Sequence, residues 1–105
     1  MNIAQIAKMA QQMQTQMAQA QAELRETTLE ASAGGGAVRV TITGAQEVRH
    51  IEIDPAAVDP AEVEMLQDLV MAAVNDAIAR SKEVERERMA SLAGGMGLPG
   101  LPGIR

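Results

Sequence analysis

The fold of this chain is decided by residues 59–92, DPAEVEMLQDLVMAAVNDAIARSKEVERERMASL. Aliphatic residues recur there every three or four positions, which predicts a helix with one buried face. Asp59, Pro60 and Glu62 have the order of a helix N-terminus with a capping box, so we expect the helix to span about 60–92. At about 1.5 Å per residue this helix is roughly 50 Å long, too long for a small chain to cover alone. The expected packing positions are Val63, Leu66, Leu69, Val70, Ala73, Val74, Ala77 and Ile78.

The composition allows one domain with a small core. The chain has 105 residues and no Phe, Trp or Tyr, so the core must come from aliphatic side chains. A small core beside long helices favours a second copy as a partner, that is, a homodimer. The absence of cysteine excludes disulfides and thiolate metal sites and fits a cytoplasmic protein. The longest apolar run is the six residues 69–74, and the N-terminus has no apolar signal region, so neither secretion nor a membrane span is expected.

The net charge of −5 is unevenly distributed along the chain. Residues 52–76, here named the acidic segment, hold seven acids and no base, which is a charge of −7. The rest of the chain therefore carries +2, and residues 77–105 alone hold five bases and three acids, also +2. Because binding to a polyanion depends on the local potential, the overall acidity does not exclude nucleic acid as a partner.

Residues 2–26 predict a first helix. Its apolar residues repeat with heptad spacing: Ile3, Ile6, Ala10, Met13, Met17, Ala20 and Leu24. This pattern is typical of a seam between two helices. We interpret the methionines Met9, Met13 and Met17 as packing against another helix; the alternative is an adaptable surface for a protein partner.

Between the helices the period of the apolar residues changes to two, which predicts strands at about 27–33, 37–43 and 47–54. The glycines at 34–36 predict a loop, and residues 44 and 45 predict a two-residue hairpin turn.

In the register that this turn implies, Val38 opposes Ile51, and Arg39 opposes His50 on the outer face of the sheet. The expected fold class is α+β, with a small antiparallel sheet and two long helices. Residues 1–93 are expected to form one domain, followed by a flexible Gly/Pro-rich tail at 94–105.

No arrangement of residues typical of a catalytic site is present in the sequence. His50 is the single histidine, and no second histidine or cysteine offers the spacing of a metal site. The serines have no histidine and acid partners for a nucleophilic triad, and the glycine triplet precedes a strand and lacks the following G-K-[ST] of a phosphate-binding loop. We therefore expect a protein that is not an enzyme and needs no metal or cofactor.

The last third of the long helix alternates basic and acidic residues. One interpretation is a solvated face with ion pairs such as Asp76–Arg80 and Glu85–Arg88. The other is that its cations contact the phosphates of a nucleic acid. The charge pattern alone favours the solvated face.

The chain as a whole resembles the YbaB/EbfC family of bacterial nucleoid-associated proteins. The resemblance lies in GGGAVRVTITGAQEVRHIEIDP at 34–55, EMLQDLVMAAVNDAIARSKE at 64–83, and the ending MASLAGGM followed by LPGLPG. It implies an α-β-β-β-α protomer, a tight homodimer shaped like tweezers, and binding to duplex DNA in the nucleoid, with compaction or bridging.

The resemblance also implies that the projecting ends of the two helices contact DNA. The cations in those regions are Lys8, Arg25, Arg80, Lys82, Arg86 and Arg88. The outer face of the sheet, with Arg39, Arg49 and His50, is a second candidate surface.

Two further hypotheses remain open at this point. One is a dimeric clamp that uses its Met- and Gln-rich helices to hold a protein of replication or repair and has little affinity for DNA. The other is that the helices only build a larger assembly.

Overall fold

The computed structural model describes residues 2–95, which form two long helices and a three-stranded sheet. The elements in chain order are α1 (Ile3–Glu26), β1 (Thr28–Ala33), β2 (Val38–Thr43), β3 (Val48–Ile53) and α2 (Val63–Gly95). The sheet is antiparallel with the order β1-β2-β3, and short 3₁₀ turns at Pro55–Ala57 and Pro60–Glu62 connect β3 to α2. The α+β prediction and its α-β-β-β-α order are confirmed.

Helix α1 begins at a capping box that sequence reasoning missed. The Asn2 side chain accepts a hydrogen bond from the Gln5 amide at 2.8 Å, and the Gln5 side chain accepts from the Asn2 amide at 3.2 Å. These two bonds satisfy two of the free donors of the first turn. The helix ends at Glu26, and the amide and hydroxyl of the next residue, Thr27, both donate to the Glu23 carbonyl.

The predicted register of β2 and β3 is wrong by two residues. Val38 opposes Ile53, Val40 opposes Ile51, and Thr41 opposes His50. The predicted two-residue turn is instead a longer turn over residues 43–47, closed by the Thr43 amide donating to the Glu47 carbonyl at 2.9 Å. Because side chains alternate with a period of two, a shift of two residues leaves them on the expected faces of the sheet.

A β-bulge at Arg49 adds a second irregularity to this strand pair. Beyond the Thr41–His50 pair, Ile42 opposes Val48 rather than Arg49. Without the bulge, strict alternation along β3 would place Arg49 on the apolar face. The extra residue places Val48 there instead.

Helix α2 starts later and ends later than predicted. The Asp59 carboxylate accepts from the Ala61 amide at 2.9 Å and caps a 3₁₀ turn, so the α-helix starts at Val63 rather than at residue 60. At the other end Gly94 and Gly95 remain helical, although residues 94–105 were predicted as a tail. The remainder of that predicted tail lies outside the described residues.

The core lies between the sheet and the first half of α2. Val38, Val40 and Ile42 of β2 are fully buried, together with Ala73 and Ala77 of α2. Five more of the expected α2 positions pack at its margin: Leu66, Leu69, Val70, Val74 and Ile78. The eighth position, Val63, is 50% exposed, because Leu66 is the first residue of α2 that packs against the core.

Candidate nucleic-acid interface

Both helices extend past the sheet. The molecule measures 70 × 26 × 16 Å, longer than the roughly 50 Å of α2. Every residue of α1 from 3 to 19 is exposed, and we name this part the α1 arm. Ser81 is the last fully buried residue of α2, and we name residues 82–95 the α2 arm.

The acidic and basic residues are divided between the body and the arms. The acidic segment contains the end of β3 and the first half of α2, which belong to the body. The α2 arm carries Lys82, Arg86 and Arg88, and the α1 arm carries Lys8 as its single charged residue. A polyanion approaching this molecule is therefore repelled less by the arms than by the body.

Four of the eight candidate cations form ion pairs. Arg80 pairs with Asp76 at 3.0 Å, Arg49 with Glu47 at 2.7 Å, and Arg86 with Glu83. Arg88 pairs with Glu23 of α1 at 2.9 Å, so the predicted Glu85–Arg88 pair is wrong, whereas the predicted Asp76–Arg80 pair is confirmed. Exposed pairs of this kind contribute little free energy, so a phosphate can compete for these arginines.

The other four candidate cations have no carboxylate of residues 2–95 within 4.0 Å of their charged nitrogens: Lys8, Arg25, Arg39 and Lys82. Lys82 follows directly after the buried Ser81, at the base of the α2 arm. Arg39 lies on the outer face of the sheet, opposite Glu52. The structure therefore distributes these candidates over both arms and the sheet rather than collecting them in one patch.

Arg49 also has a structural partner. Its guanidinium donates to the Arg25 carbonyl at the C-terminal end of α1 at 3.2 Å, in addition to its bond with Glu47. A cation at this end of a helix is favoured by the free carbonyl groups there. This contact ties α1 to the sheet and makes Arg49 a weaker candidate for phosphate binding than Arg39.

Apolar side chains are exposed in two regions. On the α1 arm they are Ile3, Ile6, Met9, Met13 and Met17, and all of these except Met9 belong to the predicted heptad seam. The second region surrounds β3, because α2 lies over β1 and β2 and leaves Val48 39% and Ile51 41% exposed. Val58, Val63, Met65 and Met71, before and within the first part of α2, are exposed as well.

Three residues form contacts between the turn and the helices that the sequence did not predict: Gly44, predicted only as part of a two-residue hairpin turn, Gln46 and Ser81. Ser81 follows Ala77 by one helical turn, so a polar residue in an apolar stripe was the available signal. Gln46 has a φ of +60°, which is uncommon for a residue other than glycine and has no sequence signature.

Within residues 2–95, no group of three His, Asp or Glu side chains is arranged to hold a metal ion. Neither helix, over the same residues, is long and apolar enough to cross a membrane.

Known proteins are similar to this chain in sequence and in fold. A nucleoid-associated protein of Nocardia farcinica is 52% identical over 100 residues, covering 95% of this chain and 91% of the relative. One of Moorella thermoacetica is 58% identical over 85 residues, covering 81% of this chain and 82% of the relative. The crystal structure of an uncharacterized protein from Helicobacter pylori superposes with a TM-score of 0.75 at 25% identity, covering 87% of this chain and 95% of that one. The profile of the YbaB/EbfC DNA-binding family matches residues 1–96, and the chain therefore belongs to this family.

Proposed function

We propose that this protein is a nucleoid-associated protein that binds duplex DNA as a homodimer, mainly through phosphate contacts from its arms. The match to a DNA-binding family over residues 1–96 carries this proposal. The names of the relatives support a place in the nucleoid, and therefore in the cytoplasm. This function is a binding function and requires no catalytic residue, metal or cofactor.

The geometry supports the arms as the contact surface. They carry four of the candidate cations: Lys8, Lys82, Arg86 and Arg88. The acidic segment lies in the body, where it does not oppose a polyanion bound along the arms. Lys8 is the single charged residue of the α1 arm, and three acids alternate with the cations of the α2 arm, so we expect weak binding that depends strongly on salt.

The exposed apolar residues support the homodimer. A soluble monomer rarely exposes many large aliphatic side chains together, and β3 exposes Val48 and Ile51 beside a sheet edge without a partner strand. A second copy covering this region would bring two pairs of arms into one particle. Two sets of phosphate contacts acting together bind more tightly than either alone.

The test is a salt titration of binding to duplex DNA, followed by fluorescence anisotropy. The logarithm of the binding constant should fall linearly with the logarithm of salt concentration, by about 0.9 for each phosphate neutralised. A variant with Arg80, Lys82, Arg86 and Arg88 changed to glutamine should bind more weakly and with a shallower slope.

The matched control changes Glu85 and Glu87 to glutamine in the same arm, because neither pairs with a cation of residues 2–95. It should bind more tightly, since it removes repulsion of phosphate without adding a contact. If a confirmed dimer showed no binding even at about 50 mM salt, the proposal would be wrong.

A second candidate function is the protein-binding clamp, and the apolar stripe of the α1 arm favours it. Ile3 is 85% exposed, and Met9, Met13 and Met17 continue the same stripe. Under this hypothesis Met13→Glu abolishes capture of a replication or repair protein, whereas the glutamine variant of the arm cations leaves capture intact. Loss of DNA binding in Met13→Glu without any protein partner would count against the clamp.

A further inference from the structure

A buried serine attaches α2 to the sheet at the base of its arm. Ser81 is fully buried, and its hydroxyl donates to the Thr43 carbonyl at 2.6 Å. The same hydroxyl accepts from the Gln46 amide at 3.1 Å and from Gln46 Nε2 at 3.0 Å. One donor and two acceptor positions are all that a hydroxyl has, so Ser81 is fully satisfied by the turn over residues 43–47.

The same turn holds the end of α1. The Gly44 amide donates to the carbonyls of Leu24 and Thr27, each at 2.9 Å. A Cβ at residue 44 would lie 2.8 Å from Leu24 Cδ2 and 3.1 Å from the Leu24 carbonyl oxygen, so any larger residue would force the turn or Leu24 to shift. Arg49, just after the turn, donates to the Arg25 carbonyl. The last carbonyls of α1 are therefore bound by the turn and its following strand.

The turn itself is tightly cross-linked. The buried Thr43 hydroxyl accepts from the amides of Ala45 and Glu47, each at 3.2 Å. Gln46 Nε2 donates to the Gly44 carbonyl at 2.9 Å, across the left-handed conformation of Gln46. Five consecutive residues thus form one unit that contacts both helices.

The two helices also contact each other directly, and Ala20 and Leu24, just past the α1 arm, are buried. Within residues 2–95, one ion pair joins a side chain of α1 to one of α2, that of the half-buried Arg88 with the exposed Glu23. The α1 arm itself, residues 3–19, is exposed throughout, and one ion pair near the surface contributes little to fixing the angle between two helices. The direction of each arm is therefore determined at its base.

We propose that the 43–47 turn and Ser81 form a joint that sets the directions of both arms and, through them, the affinity for duplex DNA. This inference rests on the proposed function, because it assigns positioning roles to Ser81, Gln46 and Gly44 in that binding. The joint matters because phosphates lie at fixed spacings, and cations on two arms reach them together only if the arms point correctly. Loss of simultaneous contact lowers affinity without removing any charge.

The experiment compares the wild type with Ser81→Ala, which removes all three bonds between α2 and the turn. The Gln46 backbone amide keeps its bond to the Thr43 carbonyl, and Gln46 Nε2 keeps its bond to the Gly44 carbonyl, so the turn itself remains closed. The chain has no cysteine, so cysteines introduced at the exposed Gln12 and Glu87 can carry spin labels, one on each arm. Dilution with unlabelled protein restricts the measured distances to labels within one protomer.

We expect one narrow distance distribution in the wild type and a broader or shifted one in Ser81→Ala. Its affinity for DNA should fall about tenfold or more, and the salt slope should become shallower because fewer phosphates are contacted at once. A loss of folded protein alone would lower the active fraction and leave the slope unchanged.

Val38→Ala is the matched control. Val38 is fully buried at the opposite end of the sheet, paired with Ala33 and Ile53, so its truncation lowers the Tm without touching the joint. It should keep the wild-type distances and slope. The proposal is overturned if Ser81→Ala keeps the wild-type distances and affinity, or if Val38→Ala loses as much affinity with the same change of slope.

If Ser81→Ala does not fold, Gln46→Gly tests whether the joint sets the directions of the arms. Glycine accepts the φ of +60° and keeps the backbone amide bond, while both bonds from Nε2 are lost. We expect the same changes on a smaller scale, and wild-type distances with wild-type affinity would contradict the joint. If the wild type itself does not bind DNA, the proposed function is wrong, whereas the distance measurement still decides whether the joint sets the arms.

Discussion

At the scale of single residues, the ion pairs decide which cations can bind a phosphate without first losing a carboxylate partner. Arg88 of the α2 arm is held by Glu23 of α1, and Arg86 by its neighbour Glu83. A phosphate must displace these carboxylates before it can bind. The protein thus carries internal competitors for two of its arm cations, and this weakens binding beyond what the net charge indicates.

Glu23→Gln should therefore raise the affinity for duplex DNA by about two- to fivefold, the range of an exposed ion pair. The salt slope should steepen by about 0.9, because Arg88 gains one phosphate contact. Glu87→Gln is the control, since it removes the same charge from the exposed α2 arm without freeing a paired arginine. An equal gain in both variants would show that general repulsion, rather than the Arg88–Glu23 pair, was relieved.

Gly44 gives a second prediction at this scale. Gly44→Ala forces its new Cβ against Leu24 and should lower the free energy of unfolding by about 1 to 3 kcal/mol. Gly94→Ala is the matched substitution, because nothing lies within 4 Å of a Cβ there and alanine favours the helix. Thermal or urea unfolding should thus separate the two variants, and equal stability would contradict the close contact between the turn and α1.

At the scale of elements, the α1 arm depends on its own helix signals. Its residues are exposed, so tertiary packing contributes little to them, and the capping box at Asn2 and Gln5 limits fraying of the first turn. The α2 arm differs, because it continues a helix whose first half is packed on the sheet. The two arms are therefore expected to differ in local stability.

Asn2→Ala tests this difference. We expect faster amide hydrogen exchange over the first turns of α1, with a local cost of about 0.5 to 2 kcal/mol and no change in β2. Thr15→Ala is the control on the same arm, since the Thr15 hydroxyl donates back to the Gln11 carbonyl and does not cap the helix. If amide exchange in the first turns of α1 is unchanged in Asn2→Ala, the capping box does not limit fraying of this helix.

At the scale of the whole molecule, the exposed apolar residues of β3 are the surface where a second copy would dock in the proposed homodimer. Ile51 and Val48 point from the same face of the sheet that α2 covers over β1 and β2. In the proposed dimer, an acidic side chain in place of Ile51 would be buried without a partner.

Ile51→Asp should consequently shift the protein from dimer to monomer in sedimentation and lower DNA affinity by about tenfold or more through loss of the second pair of arms. His50→Asp is the control for the sedimentation measurement, because it places the same group one residue away on the outer face. Circular dichroism must show that both variants are folded. A dimer that persists in Ile51→Asp would place the interface elsewhere.

Much of the architecture follows from local patterns. The two helices follow from apolar periodicity, and the strands from alternation between glycine breaks, because these signals reflect burial of one face of each element. The faces of β2 and β3 were right even though the register was wrong, since a shift of two residues keeps them. Similarity to a known family identified the binding function, which the alternating charges of the α2 arm left undecided.

The sequence by itself determined the order of the elements, the aliphatic core on β2 and α2, and the separation of acidic and basic regions. Only the tertiary structure decided which cations are paired, where α2 leaves the sheet, and how both helices meet one turn. The Arg88–Glu23 pair and the Ser81–Gln46 bonds join residues 65 and 35 positions apart. No local pattern encodes such contacts, because they depend on the register, the bulge at Arg49 and the left-handed Gln46, each of which arises only once the sheet and helices have packed together.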